Sequence, residues 1–498
     1  MSNANLKLKN VGVDAHIDPH HKGITLIALI ITIIVMMILV AVSVTVALDG
    51  GLFGTAKKAG SQTQLKADEE MLLSAVVGAI GTNGEVEREK LNLPEGFKTT
   101  SEGIIESPNG NRFTVSSNGE ISQVGYKDQI TGLGTGVILV PYEELTGDLK
   151  TSADEGKIVA VLKETKEGIE YQAVIPAGFE VSTEDGEDTI SGGLVVSDAN
   201  ENEFVWVPCT TDASNTSGLI KYAKDTKYND GTVASKQGSY KDYSDWIDEG
   251  GNSQSVTKYG GFYVGRYEAG IPSNASFYVN ADGAEYITAD GIRNTTAYIP
   301  VSKANNPSWT YISQVNAKIV SENMYSDSTS IQSGLIDSYA WDTIVNWMEN
   351  NNSGIAIDSS DYGIYLNSSV SLSDALYAIY IFDYSKPAWI SFPTKYQKGA
   401  LEVPAREWSG EQTLYEIATG SAEKTKVLNI YDMAGNMSEW TTEVGNHDAG
   451  INEKQYAVHR GGAISGYGSS NPISLRAGDG WATYENYAFG FRVVLYVK

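Results

Sequence analysis

Between Ile24 and Leu48 the chain reads ITLIALIITIIVMMILVAVSVTVAL, a run without one charged residue. A helix of roughly 20 apolar residues spans the hydrocarbon core of a bilayer, so this run is long enough to cross one. It is also longer than the apolar core of an ordinary secretory signal, and no A-x-A step follows it, so it is expected to persist as an anchor over 24–48. Lys7, Lys9 and Lys22 precede the run and Lys57, Lys58 and Lys66 follow it, a balance that leaves its direction open. Everything downstream must be compatible with a chain tied to an apolar segment near its start.

Past the run, Leu65, Leu72, Leu73, Val76 and Val77 recur at helical spacing between charges, which predicts an amphipathic stem helix over 49–84. From 85 to 125 the pattern shortens to alternating runs such as NRFTVSS. The pairs Asn109-Gly110 and Asn118-Gly119 are hairpin-turn signals, so a small β-meander of three or four strands is expected. Gly132, Gly134 and Gly136 open a stretch over 126–156 that reads as a flexible linker. A phosphate loop is excluded there, because no Lys-Ser or Lys-Thr step and no helix start follow the glycines.

From 157 to 498 the chain reads as one unit. KIVAVL, EYQAVIP and EFVWVP are strand-like, and DSYAWDTIVNWMENN is a helix with Asp337 at its cap and Ala340, Ile344, Trp347 and Met348 on one face. The 51 Gly and 29 Tyr suit turns and half-buried strands, giving an α+β class in which strand dominates beyond the stem. A formal net charge of −26 argues against nucleic acid as a partner, since phosphate neutralisation needs clustered Lys and Arg. The single cysteine, Cys209, excludes an internal disulfide and, at the end of EFVWVPC, reads as a small buried side chain with no histidine near it in sequence. No G-x-S-x-G nucleophile elbow is present.

Two resemblances refine this reading. The segment KGITLIALIITIIVMMILVAV resembles the leader and first helix of type IV pilin-like (prepilin-type) proteins, in the form common among Gram-positive bacteria. That resemblance implies a leader over 1–23, cleavage after Gly23 by a prepilin peptidase, methylation at Ile24, and other pilin-like subunits as partners. Ala28 departs from the family, whose glutamate at that position helps set register between subunits.

The phrases FVWVP, GGFYVGRYEAG, YAWDTIVNWM, NIYDMAGNMSEWTTE, HRGGA, SLRAG and FGFRVVLY, in that order, resemble the sulfatase-modifying-factor, or formylglycine-generating-enzyme-like, family. The resemblance implies a large C-type-lectin-like domain over 157–498. It also implies a structural calcium ion held around Asp432, Gly435, Met437 and Glu439, where carboxylates and carbonyls in one tight turn suit a hard cation. Active members use a pair of cysteines shortly after the GG step, whereas GGAISGYGSSNPISLR here has none, so no copper chemistry is expected. Iron-dependent relatives need a histidine cluster, and only His447 and His459 would remain beyond the leader, so no iron is expected either. In such folds the C-terminal loops form the binding face, which nominates Tyr467, Asn471, Asp479, Trp481, Tyr484, Asn486 and Tyr487 as ligand contacts. Aromatic side chains among Ser and Gly suit adaptable recognition. The competing reading, in which these aromatics fill the core, stays open.

The expected function is therefore a single-pass membrane protein of a Gram-positive-type bacterial surface. Its extracellular, catalytically inactive domain would bind a glycan or a protein. The alternatives are a minor pilus or pseudopilus subunit and, third, a formylglycine-generating-type oxidoreductase.

Overall fold

A computed structural model describes residues 52–81, 84–99, 105–109, 111–115, 119, 121–123, 126–127, 130, 132–224, 247–248, 252–275, 278–279, 285–287, 294–366, 368–371, 379–383, 388–391, 402–403, 414–446 and 455–498. The leader, with Gly23 and Ile24, and the run Ile24–Leu48 lie outside the described residues. Among the described residues no helix is long and apolar enough to cross a membrane.

The stem forms helix α1, Leu52–Ala79. Asp68, Leu72, Val76 and Ala79 are buried, at the i, i+4, i+8 spacing that puts them on one face. That face packs on an antiparallel meander of four strands, β1 (Lys98–Thr99), β2 (Ile105–Glu106), β3 (Arg112–Val115) and β4 (Ile121–Gln123), through Phe97, Ile105, Phe113 and Val115. Asp68 fixes the register: its carboxylate accepts from Ser107 Oγ at 2.6 Å, Asn109 Nδ2 at 2.9 Å and Asn111 Nδ2 at 2.7 Å, all on the turn joining β2 to β3. Leu73 and Val77, expected on the apolar face with Leu72 and Val76, are instead 48% and 60% exposed. Each lies one residue, about 100°, round the helix from Leu72 and Val76, away from the buried face.

Residues 132–156, expected as a flexible hinge, are built into the large region. Val137–Leu139 pairs with Ile158–Lys166, which pairs in turn with Ile169–Pro176. Helix α2 (Gly147–Asp154) buries Ala153, and Val137, Val140 and Leu145 join the main core. The sheet partner lies after the glycines in sequence, so their local pattern hid the strand.

The largest sheet has seven strands. Its main order is Ile331–Leu335, Val493–Val497, Gly261–Gly265, Glu203–Thr210, Val195–Asp198 and Phe179–Val181, with Ile220–Lys221 parallel to Glu203–Thr210. Phe204, Val205, Trp206 and Val207 are wholly buried, as are Phe262, Tyr263 and Val264 opposite them. Strands buried on both faces read as continuous apolar runs, which is how EFVWVP and GGFYV appear in the sequence. Helix α3 (Ser253–Tyr259) leads into Gly261–Gly265. Helix α4 (Gln314–Asn323) is capped by Ser313 Oγ, and helix α5 (Ser338–Asn351) by Asp337, which accepts from Ala340 N at 2.8 Å. The predicted face of α5, with Ala340, Ile344, Trp347 and Met348, is buried in a second core beside Val205, Val207 and Val264. A smaller sheet joins Ile247–Asp248, Ser438–Asn446, Gln455–Arg460 and Arg476–Trp481, with Phe489–Phe491 parallel to Ser438–Asn446. This sheet positions the candidate site.

Candidate binding loop and the buried frame beneath it

The strand Arg476–Trp481 ends in a turn in which Tyr484 N donates to Trp481 O at 2.7 Å. Asn486 Oδ1 accepts from Ala488 N at 2.9 Å, and Tyr311 N donates to Asn486 O at 3.1 Å. The loop thereby lies across the start of α4, where Val315 N donates to Ala482 O at 3.2 Å. Trp481 and Tyr484 emerge from it 37% and 40% exposed. Such large aromatic surfaces left in water are informative in a way that a scattered exposed aliphatic is not.

The loop rests on an aromatic column. Tyr484 meets Phe489 edge-on at 6.2 Å between ring centroids, Phe489 lies 4.5 Å from both Trp440 and His459, and Trp440 Nε1 donates to Ile312 O at 2.9 Å. Trp440 is wholly buried and Phe489 nearly so. The exposed Tyr484 ring is thus carried on buried groups, so little side-chain entropy is lost when it is covered.

Tyr467 and Asn471 belong to a different turn. Asn471 N donates to Tyr467 O at 2.7 Å, and the turn is laid on residues 355–366: Ser359 N donates to Gly468 O, Leu366 N to Gly466 O and Ser474 Oγ to Ala356 O. Tyr467 is partly buried against the main core, as is Tyr487. For these two the core-filling reading holds in part. Asp479 is described only through its backbone, in the strand Arg476–Trp481.

The turn Leu428–Glu439 lies below. Leu428, Asn429, Asp432, Gly435 and Asn436 all take positive φ. Gly435 has φ of +71°, and a Cβ there would stand 2.3 Å from Ile364 O, so this position accepts glycine alone. Asp432 Oδ2 accepts from Thr419 Oγ1 and Gly420 N, each at 2.8 Å. Glu439 receives Arg492 through Nε at 3.1 and 3.0 Å and Nη2 at 2.6 Å, while Arg492 also donates to Gly265 O and Tyr431 O. Met437 is buried in the main core, and its N–H donates to Glu268.

Glu268 also accepts from Ser308 Oγ and from Asn436 Nδ2. Burial, followed by the charges of Asp432 and Glu439, holds its carboxyl well above the usual range. Burial pushes Asp432 and Glu439 up as well, with Arg492 opposing this at Glu439. Glu416 Oε1 accepts from Ser308 N at 2.9 Å, Oε2 finds no hydrogen-bond partner among the described residues, and burial raises this carboxyl to about 8. Both carboxylates expected to hold calcium, Asp432 and Glu439, therefore already accept from protein donors. Among the described residues no group of three or more His, Cys, Asp and Glu side chains is arranged to hold a metal.

A second buried frame ties the sheet to α5. Arg460 Nη2 reaches Asp342 Oδ1 at 2.6 Å, Arg476 Nη2 reaches Asp342 Oδ2 at 2.8 Å, and Arg476 Nε reaches Glu443 at 2.9 Å. Lys224 and Ser338 complete the shell of Glu443. The local reading of the residues missed this frame, together with Glu268 and Arg492. Their trace in sequence lay scattered through the family-like phrases: Glu268 in GGFYVGRYEAG, Asp342 in YAWDTIVNWM, Glu443 in NIYDMAGNMSEWTTE, and an arginine in each of HRGGA, SLRAG and FGFRVVLY. Cys209 is wholly buried on Glu203–Thr210, and burial drives its thiol well above the ordinary value, which disfavours the thiolate.

Residues 395–497 match the family described as "Sulfatase-modifying factor enzyme 1-like domain". The match contains the Leu428–Glu439 turn, all three framing arginines and the aromatic loop. It starts after FVWVP and GGFYVGRYEAG, yet Val493–Val497 is paired with Gly261–Gly265, so the matched segment is structurally completed by earlier strands. No curated protein matches the chain. Among solved structures, "Crystal Structure of CarF" aligns at 14% identity over 48% of this chain and 87% of that one, with a TM-score of 0.27. "Treponema denticola variable protein 1" aligns at 11% identity over 67% and 98%, with a TM-score of 0.18.

Proposed function

We propose that this chain is a pilin-like, membrane-anchored surface protein whose sulfatase-modifying-factor-like domain, in a C-type-lectin-like arrangement, binds a ligand and performs no oxidation. The observation that carries the binding reading is the exposure of Trp481 and Tyr484 on one turn, with Tyr484 seated on an aromatic column rooted in the core. The absence of oxidase chemistry is supported by the cysteine count: the chain has one, Cys209, buried on a strand, and Gly461–Arg476 has none. Without two thiolates there is neither a soft ligand set for copper nor a dithiol to cycle. The anchor and its processing rest on the sequence from Lys22 to Leu48.

A second reading, a structural filament subunit, is favoured by the exposed Leu73 and Val77 on α1, which leave an apolar stripe facing away from the meander. Screening the full chain against glycan and protein arrays tests the first reading, with Trp481→Ala as the control. Saturable binding lost in that variant supports it, and conversion of a cysteine in any client peptide to formylglycine would sink it. For the anchor, Gly23→Ala is expected to retain the leader, read from the mass of the mature chain. If wild type and variant have the same N-terminus, the pilin-like part fails.

A further inference from the structure

We infer that the loop Trp481–Asn486 and the outer face of α4 form one docking surface for a basic, apolar protein segment rather than for a carbohydrate. The inference rests on the binding reading above and names its ligand class. Val315 and Ile319, one turn apart on α4, are 42% and 38% exposed, although Gln314, Ala317, Val320 and Ser321 on the same helix are buried. The bond from Val315 N to Ala482 O sets this aliphatic stripe beside the turn that carries Trp481 and Tyr484. Two aromatics from a loop and two β-branched side chains from a helix have the composition of a protein-contact centre.

A sugar needs fixed donors and acceptors beside the rings, because its hydroxyls must be paired when water leaves. The amides next to this surface each spend part of their hydrogen-bonding capacity within the protein. Asn486 Nδ2 donates to Tyr484 Oη at 2.9 Å and its Oδ1 accepts from Ala488 N. Asn316 Nδ2 donates to Asn294 Oδ1 at 2.7 Å, and that oxygen also takes Ser313 N at 2.9 Å. Charge selects among protein segments. Glu322 follows Ile319 by three positions and is exposed with it, half-buried Glu485 lies inside the loop against one cation, the half-buried Lys318, and the whole chain carries a net −26. A partner with Lys or Arg next to apolar side chains is steered in, and an acidic one is repelled.

The test uses the full chain, immobilised in detergent, with a random-peptide phage library and a neutral-glycan array as the two probes. Enriched peptides should combine aromatic or aliphatic residues with Lys or Arg. For one such peptide, Kd should rise about tenfold or more in Trp481→Ala and in Ile319→Ser, the effect of removing a centre residue. It should also weaken as salt is raised. Both variants should keep a single cooperative thermal transition, which separates lost binding from lost folding. Neutral glycans that bind the wild type and not Trp481→Ala would overturn the protein assignment while leaving the binding face intact. Peptides that bind both variants as tightly as the wild type would overturn the docking surface. If neither probe gives Trp481-dependent binding, this inference and the binding reading fall together.

Discussion

The turn Leu428–Glu439 and the loop Trp481–Tyr487 draw on similar residue types, aromatic, amide and acidic, and both were singled out from sequence. They differ in where those groups end up. In the turn, Asp432, Asn436 and Glu439 are almost wholly buried and engaged by Thr419, Glu268 and Arg492. In the loop, Trp481 and Tyr484 remain in water. A polar group satisfied inside the protein is a structural element, whereas a large ring held rigidly in solvent is available to something else. Residue type alone does not separate the two cases.

The sharpest way to break the comparison is Arg492→Leu. It leaves Glu439 as an uncompensated buried charge, and a loss of about 3–5 kcal/mol is expected in chemical denaturation. Gly435→Ala comes next, at about 1–3 kcal/mol from forced positive φ, with the close approach to Ile364 O adding to it. Glu416 gives the turn's surroundings a pH signature. Its folded value of about 8 lies above its ordinary 4.5, so the folded state holds a proton that the unfolded chain releases. The associated stability is fully present below about pH 4.5 and is lost as pH rises toward 8. Thermal melts of Glu416→Gln across that window should show a shallower fall than wild type, and parallel curves would refute the assignment.

Smaller effects sharpen the contrast. Trp481→Ala should cost less than Arg492→Leu, about 1–2 kcal/mol, because the residue is 37% exposed and its remaining surface is already covered. A larger loss there would return the loop to the core-filling reading. With Asp432 and Glu439 already engaged, chelation should leave the melting temperature unchanged. A fall restored by added calcium would establish the ion implied by the family resemblance.

What was legible in the sequence followed from local period. EFVWVP and EYQAVIP are strands, α5 starts at its Asp337 cap, and the NG pairs fall between meander strands, because each signal lies within one turn or one pleat. What was missed depends on partners far along the chain. Arg492 meets Glu439 across 53 positions and Arg460 meets Asp342 across 118, distances over which no periodicity speaks. The strand Val137–Leu139 was hidden for the same reason, since its ladder is supplied by Lys163 and its neighbours. Leu73 and Val77 were misplaced in the opposite sense: the helical stripe was read too wide, since each lies one residue round the helix from the buried face.

The position of Val493–Val497 between Ile331–Leu335 and Gly261–Gly265 also governs timing. This interior strand of the largest sheet is made after both of the strands that it joins. Until residue 497 has been made, two strand edges stay open and their apolar faces lack cover. The sheet therefore cannot close until that strand has been made, however early its other strands are complete.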